Sequence, residues 1–351
     1  MQEEFLMVKD IKEEPIVLES VANSSSRIKR LAEKISMEEI KRVFFIGCGS
    51  SYYAAIFGAW PLLSTNLPVY ISPSSEFLFY YIKLIDDKSL VIGLSRSGQT
   101  AETLLAMEKA CERKAFTLAF TICHHSDISR KCKEHFATET GMEKSIITTK
   151  SFVALSLASA IFSATLGRLL FNKDYDFLEE ISRLSSSAKK ILEREKDIYE
   201  LAQASVNNRV ERFVFLGSGP AYPIALEGAL KVKETSYVAS EAFHTLEFRH
   251  GPISTIGEKQ VLFLIACNGE SFAASKRLFN EIREKSGDII LLTNSPPEEP
   301  NTAIVIPSVK YEENAALLSI IPIQLFSYYY SVGIGKNPDE PRNLSRYIER
   351  F

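Results

Sequence analysis

The stretch FFIGCGSSYYAAIFGAW (residues 44–60) reappears 170 residues later as VFLGSGPAYPIALEGAL (residues 214–230). Each copy has an apolar run, a G-x-G turn and an amphipathic segment, an order typical of a strand, a tight turn and a helix. Matches at the constant offset of 170 pair Gly47, Gly49, Tyr52, Ala55, Gly58 and Ala59 with Gly217, Gly219, Tyr222, Ala225, Gly228 and Ala229. The chain therefore contains an internal repeat, which decides the fold.

The same register continues through two further strand-like segments. LVIGL (residues 90–94), followed by SRSGQT, aligns with QVLFLI (residues 260–265), followed by ACNGES. Likewise, LAFT ending at Thr121 aligns with ILLT ending at Thr293. Matching strand ends at offsets of 170 to 172 indicate two copies of one domain. We predict an α/β protein with two doubly wound (flavodoxin-like) parallel-sheet domains in tandem, each an α-β-α sandwich.

The repeat also sets the predicted domain boundaries, because 351 residues suffice for two domains of ordinary size. We predict an N-terminal segment (residues 1–25), a first domain (26–185), a second domain (186–335) and a C-terminal tail (336–351). The charged helical stretch near residues 186–200 joins the two domains. We expect the tail to close over the active site.

Composition narrows the partners and the compartment. A total of 41 Lys and Arg against 44 Asp and Glu gives a formal charge of −3, which argues against nucleic acid and anionic membranes. The five cysteines lack metal-ligand spacing, so we expect reduced thiols, no metal site and a cytoplasmic location. Two apolar stretches, residues 151–170 and 315–334, contain serines, Arg168, Pro322 and Gln324. They are interpreted as buried or subunit-interface helices and not as membrane spans.

The G-x-G turn of the first copy is a weak signal for a nucleotide. A dinucleotide fingerprint needs a third glycine and an acidic residue about 20 positions further on. Gly49 is followed by Ser50, Ser51 and Tyr52, so the third glycine is missing. No nicotinamide cofactor is therefore expected.

Hydroxyl-rich loops follow the first two strands of the first copy. Ser50 and Ser51 follow one strand, and Ser95, Arg96, Ser97 and Thr100 lie in the SRSGQT loop (residues 95–100) after the next. Hydroxyls, a glycine turn and helix N-termini at the carboxyl ends of parallel strands favour a phosphate group, with Arg96 adding charge. A third hydroxyl run begins at Thr148. The alternative is that these side chains only cap helices.

The second copy has largely lost these hydroxyls and carries other chemistry. Glu227, Lys231 and Glu234 fall at positions i, i+4 and i+7 of one predicted helix and share a face. A carboxylate beside a lysine can act as a general base. His250 precedes Gly251-Pro252, at the end of an element where an imidazole can reach a ligand. The alternative is an exposed ion-paired helix and an ordinary loop histidine.

These residues resemble a known family. The chain is similar to the isomerase half of glucosamine-6-phosphate synthase and its glutaminase-less relatives, which are built from two SIS (sugar isomerase) domains. The matching motifs are MVKDIKEEP (7–15), GCGSSYY (47–53), SRSGQTAET (95–103), TTKSF (148–152), YPIALEGALKVKETSY (222–237), LEFRHGP (246–252) and PRNL (341–344). They run from the first residues to the last few, so the resemblance covers the whole chain.

The resemblance implies roles for individual residues. The phosphate and sugar binders of the family match Ser50, Ser51, Ser95, Ser97 and Thr100, with Arg96 where the synthase has glutamine, and further sugar contacts match Ile146 and Thr148. Glu234 matches the base that shuttles a proton between C1 and C2, with Lys231 beside it. His250 matches the histidine assigned to ring opening, which the family contributes across a dimer interface. A homodimer is therefore implied.

Three departures from the family bear on the reaction. The chain lacks the N-terminal glutaminase domain and its cysteine, so we expect no glutamine hydrolysis. The C-terminal lysine of the family falls on Arg346, which cannot form a Schiff base but can stabilise an enolate or an open-chain oxyanion as a fixed cation. Ile146 and Ile147 replace smaller residues, which is expected to reshape the sugar pocket.

The preferred interpretation is an amino-sugar phosphate isomerase and deaminase. It would convert glucosamine 6-phosphate to fructose 6-phosphate and ammonia, or run in reverse with free ammonia. Neither a metal nor a cofactor is expected, because the carboxylate moves a proton and not a hydride. The alternatives are a fructosamine-6-phosphate deglycase, a phosphohexose isomerase and a non-catalytic sugar-phosphate sensor. A sensor would normally need an output module, and no helix-turn-helix segment stands outside the repeats.

Overall fold

A computed structural model describes residues 4–285, 288–296, 303–307 and 309–348 of the chain. The contacts divide the chain into two units, each built around one sheet. The first-sheet unit comprises residues 16–143, 150–178 and 345–351, and the second-sheet unit comprises residues 1–15, 144–149 and 179–344. The last three residues of the predicted tail lie outside the described residues. The boundaries given above for the domains stay a prediction.

The elements are named in chain order. The strands are β1 (Arg42–Gly47), β2 (Val69–Pro73), β3 (Ser89–Leu94), β4 (Phe116–Thr121), β5 (Glu134–Ala137), β6 (Arg212–Gly217), β7 (Ala239–His244), β8 (Gln260–Ile265), β9 (Asp288–Thr293) and β10 (Ala303–Val305). The helices are α1 (Leu6–Lys12), α2 (Glu14–Asn23), α3 (Ser25–Ser36), α4 (Ser50–Leu63), α5 (Ser74–Glu76), α6 (Ala101–Glu112), α7 (Asp127–Lys131), α8 (Lys150–Phe171), α9 (Leu184–Leu192), α10 (Glu195–Asn207), α11 (Ala221–Ser236), α12 (Phe272–Glu284), α13 (Glu312–Leu318) and α14 (Ile320–Gly333). A π-helical turn spans Phe77–Tyr81, and 3₁₀ turns span Ile82–Leu84, Asp176–Arg183, Glu247–Arg249 and Pro252–Thr255.

The two sheets have the same topology. The first has the strand order β2-β1-β3-β4-β5 and the second has the order β7-β6-β8-β9-β10, with every neighbouring pair parallel. This is the flavodoxin-like order, and helices flank both sheets. The predicted fold class is therefore confirmed. The strand pairs β1 and β6, β3 and β8, and β4 and β9 are offset by 170, 171 and 172 residues, as the repeat predicts.

Alternate strand residues cover the two faces of each sheet, because successive side chains point to opposite sides. In the second sheet, Val214 and Leu216 pack with Leu278 and Ile282 of α12. On the other face, the ring of Phe213 meets the rings of α14 edge-on, including that of Phe326 with centroids 5.5 Å apart. Both faces of these strands are thus apolar, as the uninterrupted apolar runs of the sequence indicate.

The glycine at the end of each central strand lets the following helix approach. A Cβ atom on Gly47 would lie 2.7 Å from the backbone of Ser51, and the same substitution at Gly217 would overlap the backbone of Ala221. Only glycine permits so close a turn from strand to helix. This turn places the first residues of α4 and α11 directly at the carboxyl ends of their strands.

Two apolar segments, Lys150–Phe171 and Glu312–Gly333, have the length and composition of a membrane-crossing helix. In the structure, 83% of the apolar window of the first and 89% of that of the second are buried in the protein. Helix α8 packs against α3 and α4, and α14 packs against α10 and α11. Such burial is typical of core helices in a globular fold.

Candidate active site

The SRSGQT loop lies between β3 and α6 of the first-sheet unit, and its hydroxyls make hydrogen bonds within the loop. Ser95 is buried, and its Oγ accepts a hydrogen bond of 3.0 Å from the backbone N–H of Gly98. The Thr100 hydroxyl lies 3.4 Å from Ser95 Oγ, and Ser97 Oγ accepts from the N–H of Gln99. The structure therefore brings three predicted phosphate binders together in one tight loop.

Ser50 and Ser51 are the first two residues of α4, at the carboxyl end of β1. Strand β1 pairs with β3 in parallel, so the start of α4 and the SRSGQT loop follow neighbouring strands at the same edge of the sheet. A helix N-terminus with hydroxyls beside it favours a bound anion. This is the arrangement that the hydroxyl pattern predicts for a phosphate group.

Arg96 is held by protein groups on both arms of its guanidinium. Its Nη1 lies 3.1 Å from Glu143 Oε2, and its Nη2 donates a 2.7 Å hydrogen bond to the carbonyl of Arg346. The Glu143 carboxylate is buried and also accepts from the hydroxyl of Ser151, at 2.7 Å. Direct contact between Arg96 and a phosphate stays a prediction.

A cavity of about 740 Å³ opens beside the SRSGQT loop in the first-sheet unit. Its lining includes Arg96, Ser97 and Gln99 of that loop and Arg346 and Tyr347 of the tail. The rest of the wall follows β4 and β5 and comprises Ile122, Cys123, His124, His125, Thr138, Glu139, Gly141, Met142 and Glu143. Arg346 is exposed and belongs to this cavity, where the structure places it in the first-sheet unit.

The second-sheet unit holds a cation–carboxylate cluster of Glu227, Lys231 and Glu234 on α11. Lys231 Nζ lies 3.0 Å from Glu227 Oε1 and 2.7 Å from Glu234 Oε2. The side chains of Glu227 and Lys231 are fully buried, whereas 17% of the Glu234 side chain is exposed. The shared helix face predicted from the spacing is therefore confirmed, and Glu234 is the member that solvent reaches.

Lys231 also donates a 2.9 Å hydrogen bond to the backbone carbonyl of Thr148. Burial opposes the charged form of this lysine, but the two carboxylates outweigh burial and raise its pKa above the usual value. Lys231 is therefore a fixed cation. The segment 144–149, which includes the half-buried Ile146, packs in the second-sheet unit with this cluster.

Asp10 of α1 holds that segment in place. Its buried carboxylate accepts hydrogen bonds from the backbone N–H groups of Lys144 and Ser145, at 2.8 and 2.7 Å. Asp339 in turn accepts from the N–H groups of Leu6 and Met7 at the start of α1. The N-terminal helix thus fixes the backbone that receives the Lys231 ammonium group.

His250 lies on an exposed turn of the second-sheet unit, between the 3₁₀ turns Glu247–Arg249 and Pro252–Thr255. Its backbone N–H donates to the carbonyl of Glu247. Nearby in sequence, the ring of His244 stacks on Tyr222, the second residue of α11, with centroids 3.6 Å apart. Burial lowers the pKa of His244, so this ring favours the neutral form. The predicted role of His250 stays a prediction.

Sequence reasoning missed Glu143 and Asp10 as supports of the site. Asp10 is a single acidic residue inside the apolar helical run LMVKDI, which is a signal for a buried and paired carboxylate. Glu143 gives no such signal, because it stands in the polar stretch TETGMEKS. Within the described residues, no group of three or more His, Cys, Asp and Glu side chains is arranged to hold a metal ion.

The two sheets of identical topology define a class of double α/β proteins, here with hydroxyl-rich loops in one copy and a carboxylate–lysine cluster in the other. The SIS domain family matches residues 36–164 and 208–332, and the chain belongs to this family. A curated relative is the glutamine–fructose-6-phosphate aminotransferase (isomerizing) of Clostridium tetani, 32% identical over 358 residues. The match covers 97% of this chain and 58% of the relative. The chain thus spans less than two thirds of the length of the curated relatives that it matches.

Solved structures agree with this family. The C-terminal domain of glucosamine-fructose-6-phosphate aminotransferase from Francisella tularensis superposes with a TM-score of 0.84 at 25% identity, covering 96% of this chain and 99% of that one. A glucosamine-6-phosphate deaminase from Thermotoga maritima has a TM-score of 0.70 at 25% identity, covering 95% and 99%. Both align over nearly the whole of each chain.

Proposed function

We propose that this protein is an amino-sugar phosphate isomerase that converts glucosamine 6-phosphate and water to fructose 6-phosphate and ammonia, or runs in the reverse direction. The observation that carries the proposal is the carboxylate of Glu234, partly open to solvent and 2.7 Å from the buried ammonium group of Lys231. A positioned carboxylate is what the transfer of a proton between C1 and C2 requires. Lys231 orients that carboxylate and stays charged.

The steps balance without a redox partner. Glu234 takes the proton from C2 of the open-chain aldose, and the electrons form a C1–C2 enaminol while the aldehyde oxygen takes a proton from water. The same carboxylate then returns its proton to C1, which leaves an iminium group at C2. Water adds at C2 and ammonia leaves, giving the ketose and returning one proton to the solvent. The base ends in its original state, so one carboxylate serves the whole cycle.

The remaining residues are assigned by their chemistry. Ser50, Ser51, Ser95, Ser97 and Thr100 bind the phosphate group, with the help of the α4 and α6 N-termini. The sugar contacts are assigned to Ile146 and Thr148. Arg346, on the cavity wall, is assigned to a negative charge on the substrate.

His250 is assigned to ring opening in a homodimer in which it serves the partner subunit. Its exposure on a turn supports this proposal, because an exposed imidazole is free to enter a neighbouring subunit. Mixing inactive Glu234→Gln and His250→Ala chains would then restore about a quarter of the activity, since half of the dimers carry one intact site. Mixtures that stay inactive would contradict a shared site.

The relatives support this reaction. One carries the name glutamine–fructose-6-phosphate aminotransferase and another the name glucosamine-6-phosphate deaminase, and the second aligns over 99% of its length. We therefore propose that ammonia, and not glutamine, is the nitrogen species handled by the residues described. Five cysteines present as free thiols support a cytoplasmic location, which cell fractionation tests.

The decisive experiment measures ammonia and fructose 6-phosphate formed from glucosamine 6-phosphate, with and without glutamine. We expect turnover that glutamine does not change. Glu234→Gln should lower kcat by about 10³-fold with an almost unchanged KM, because general-base catalysis is worth roughly 10²–10⁴-fold. Glu200→Gln is the matched control, since Glu200 forms an exposed i,i+4 ion pair on α10 of the same unit. Full activity in Glu234→Gln would refute the assignment.

A second candidate is a fructosamine-6-phosphate deglycase. It would use the same base, Glu234, and the same hydroxyl loops for the phosphate, but a substrate with a bulkier substituent on the nitrogen. A fructosyl-amino-acid 6-phosphate that releases free amino acid faster than glucosamine 6-phosphate releases ammonia would favour this reaction. The opposite ratio favours the deaminase.

A further inference from the structure

The buried carboxylate of Glu143 links three segments of the first-sheet unit. It follows β5 in sequence, and it accepts from the backbone N–H and the hydroxyl of Ser151, in the first turn of α8, at 3.3 and 2.7 Å. Only 1% of its side chain is exposed. A carboxylate at such a site needs partners to offset its desolvation, and the helix N-terminus and Arg96 supply them. These partners therefore fix the position of the Glu143 carboxylate.

Arg96 connects the Glu143 carboxylate to the C-terminal tail. Its guanidinium is a rigid fork, so fixing one amino group at Glu143 also orients the other. The second amino group donates to the carbonyl of Arg346, at 2.7 Å. The tail is held again two residues later, where the N–H of Ala101 donates to the carbonyl of Ile348, at 3.0 Å. Ala101 is the first residue of α6, directly after the SRSGQT loop.

These contacts tie the tail segment 345–348 to both ends of the SRSGQT loop. Arg346 and Tyr347 stand on the wall of the cavity together with Ser97 and Gln99. Without the Arg96 fork, that wall would lose an anchor. The sequence motif alone predicts Arg96 as a phosphate ligand.

We propose that Arg96 is a positioning residue that anchors the C-terminal tail beside the SRSGQT loop, and that Glu143 acts through Arg96 by orienting its guanidinium. The proposal deepens the proposed function and rests on it, because the loop and the tail form the site assigned to the sugar phosphate. The first test of the anchor, however, is a hydrogen-exchange measurement, which does not require the protein to turn over a substrate.

The test is hydrogen exchange of the C-terminal peptide and of the Ala101 amide in the full-length protein. In Arg96→Met we expect both to exchange about tenfold faster, because a charge-assisted hydrogen bond is lost. Glu143→Gln should give a smaller change in the same direction, and the double variant should be no faster than Arg96→Met. Arg42→Met is the matched control. Arg42 is the first residue of β1, and its side chain donates a hydrogen bond to the carbonyl of Leu84 and pairs with the carboxylate of Asp86.

Calorimetry with inorganic phosphate separates anchoring from direct binding. Anchoring predicts that Arg96→Met changes the phosphate affinity by less than about twofold, whereas a direct phosphate ligand would cost about tenfold or more. With glucosamine 6-phosphate, anchoring predicts a raised KM and a kcat that is nearly unchanged.

Unchanged exchange in Arg96→Met, or a tenfold loss of phosphate affinity, would overturn the anchoring role. Unchanged exchange in Glu143→Gln would overturn the role of Glu143. If Arg96→Met fails to fold, the exchange rates of this milder variant still test the anchor. Accelerated exchange in a protein that turns over no sugar phosphate would support the anchor and refute the proposed function.

Discussion

The loops that follow β3 and β8 occupy equivalent places in the two sheets but present opposite chemistry. In the first sheet, the SRSGQT loop turns the hydroxyls of Ser95 and Thr100 toward each other and has Gly98 at φ +67°. In the second, the ACNGES loop (residues 266–271) begins with an alanine and the buried Cys267. The same backbone turn thus carries a hydroxyl-rich loop in one copy and, in the other, a loop with one hydroxyl and the carboxylate of Glu270.

The protein's own carboxylate covers the ACNGES loop. The Glu312 side chain packs so closely on Gly269 that a Cβ atom there would overlap it. Burial and the neighbouring charges of Glu313 and Glu270 raise the pKa of Glu312 to about 7. A loop that destabilises a negative charge is a poor phosphate site. Both copies therefore keep the same turn, whereas the capacity to bind a ligand depends on a few side chains placed on it.

The largest expected effect lies in the second-sheet unit, where the chemistry is assigned. Lys231→Met would leave the buried carboxylate of Glu227 and the nearby Glu234 without their cation. Breaking a buried pair in this way costs about 3–5 kcal/mol of unfolding free energy. Urea unfolding measures it, with Lys196→Met on the exposed face of α10 as the control. A loss below about 1 kcal/mol would show that the cluster is not the anchor we describe.

Substitution of the equivalent glycines, Gly98 and Gly269, tests the difference between the two loops. Gly98→Ala places a side chain in the left-handed region and against Ser126 and Ile128, so we expect a loss of about 2 kcal/mol. It should also weaken binding of inorganic phosphate. Gly269→Ala needs only a shift of the flexible Glu312 side chain and should cost less than about 1 kcal/mol. Equal losses in the two variants would contradict the difference between the loops.

Hydroxyl removal separates binding from chemistry. Ser95→Ala combined with Ser97→Ala should raise KM for the sugar phosphate about tenfold and leave kcat nearly unchanged, because we assign these hydroxyls to the phosphate and not to the reacting carbons. Asn268→Ala combined with Ser271→Ala in the ACNGES loop is the control and should leave KM unchanged. An unchanged KM in the Ser95 and Ser97 variant would refute the phosphate assignment.

The smallest effect concerns pH. Because the folded protein raises the pKa of Glu312 from 4.5 to about 7, the folded state binds the proton more tightly than the unfolded state between these values. Stability should therefore fall as the pH rises from about 4.5 to about 7 and stay lower above it. Since Glu312 is partly exposed, solvent screening limits the effect to about 1 kcal/mol. Glu312→Gln should remove this pH dependence, and a variant that keeps it would exclude Glu312 as the cause.

Much of the fold was predictable from the repeat. Strand ends at offsets of 170 to 172 gave the number of sheets and the parallel topology, because a G-x-G turn after an apolar run has few structural alternatives. The face shared by Glu227, Lys231 and Glu234 followed from helical spacing alone. Contacts across long sequence separations were not predictable. Asp10 binds backbone more than 130 residues away, and no local pattern names such a partner.

The sequence by itself determined the two-sheet architecture, the hydroxyl loops and the family, since these depend on periodicity and on short motifs with local geometry. Tertiary structure alone decided that Lys231 is a fully buried cation beside Glu227, Glu234 and the carbonyl of Thr148, and that Arg96 is held by Glu143 and the tail. The physical reason is that burial and pairing depend on distant segments that only packing brings together. Those distances set the charge and the orientation of a side chain, and hence the chemistry assigned to it.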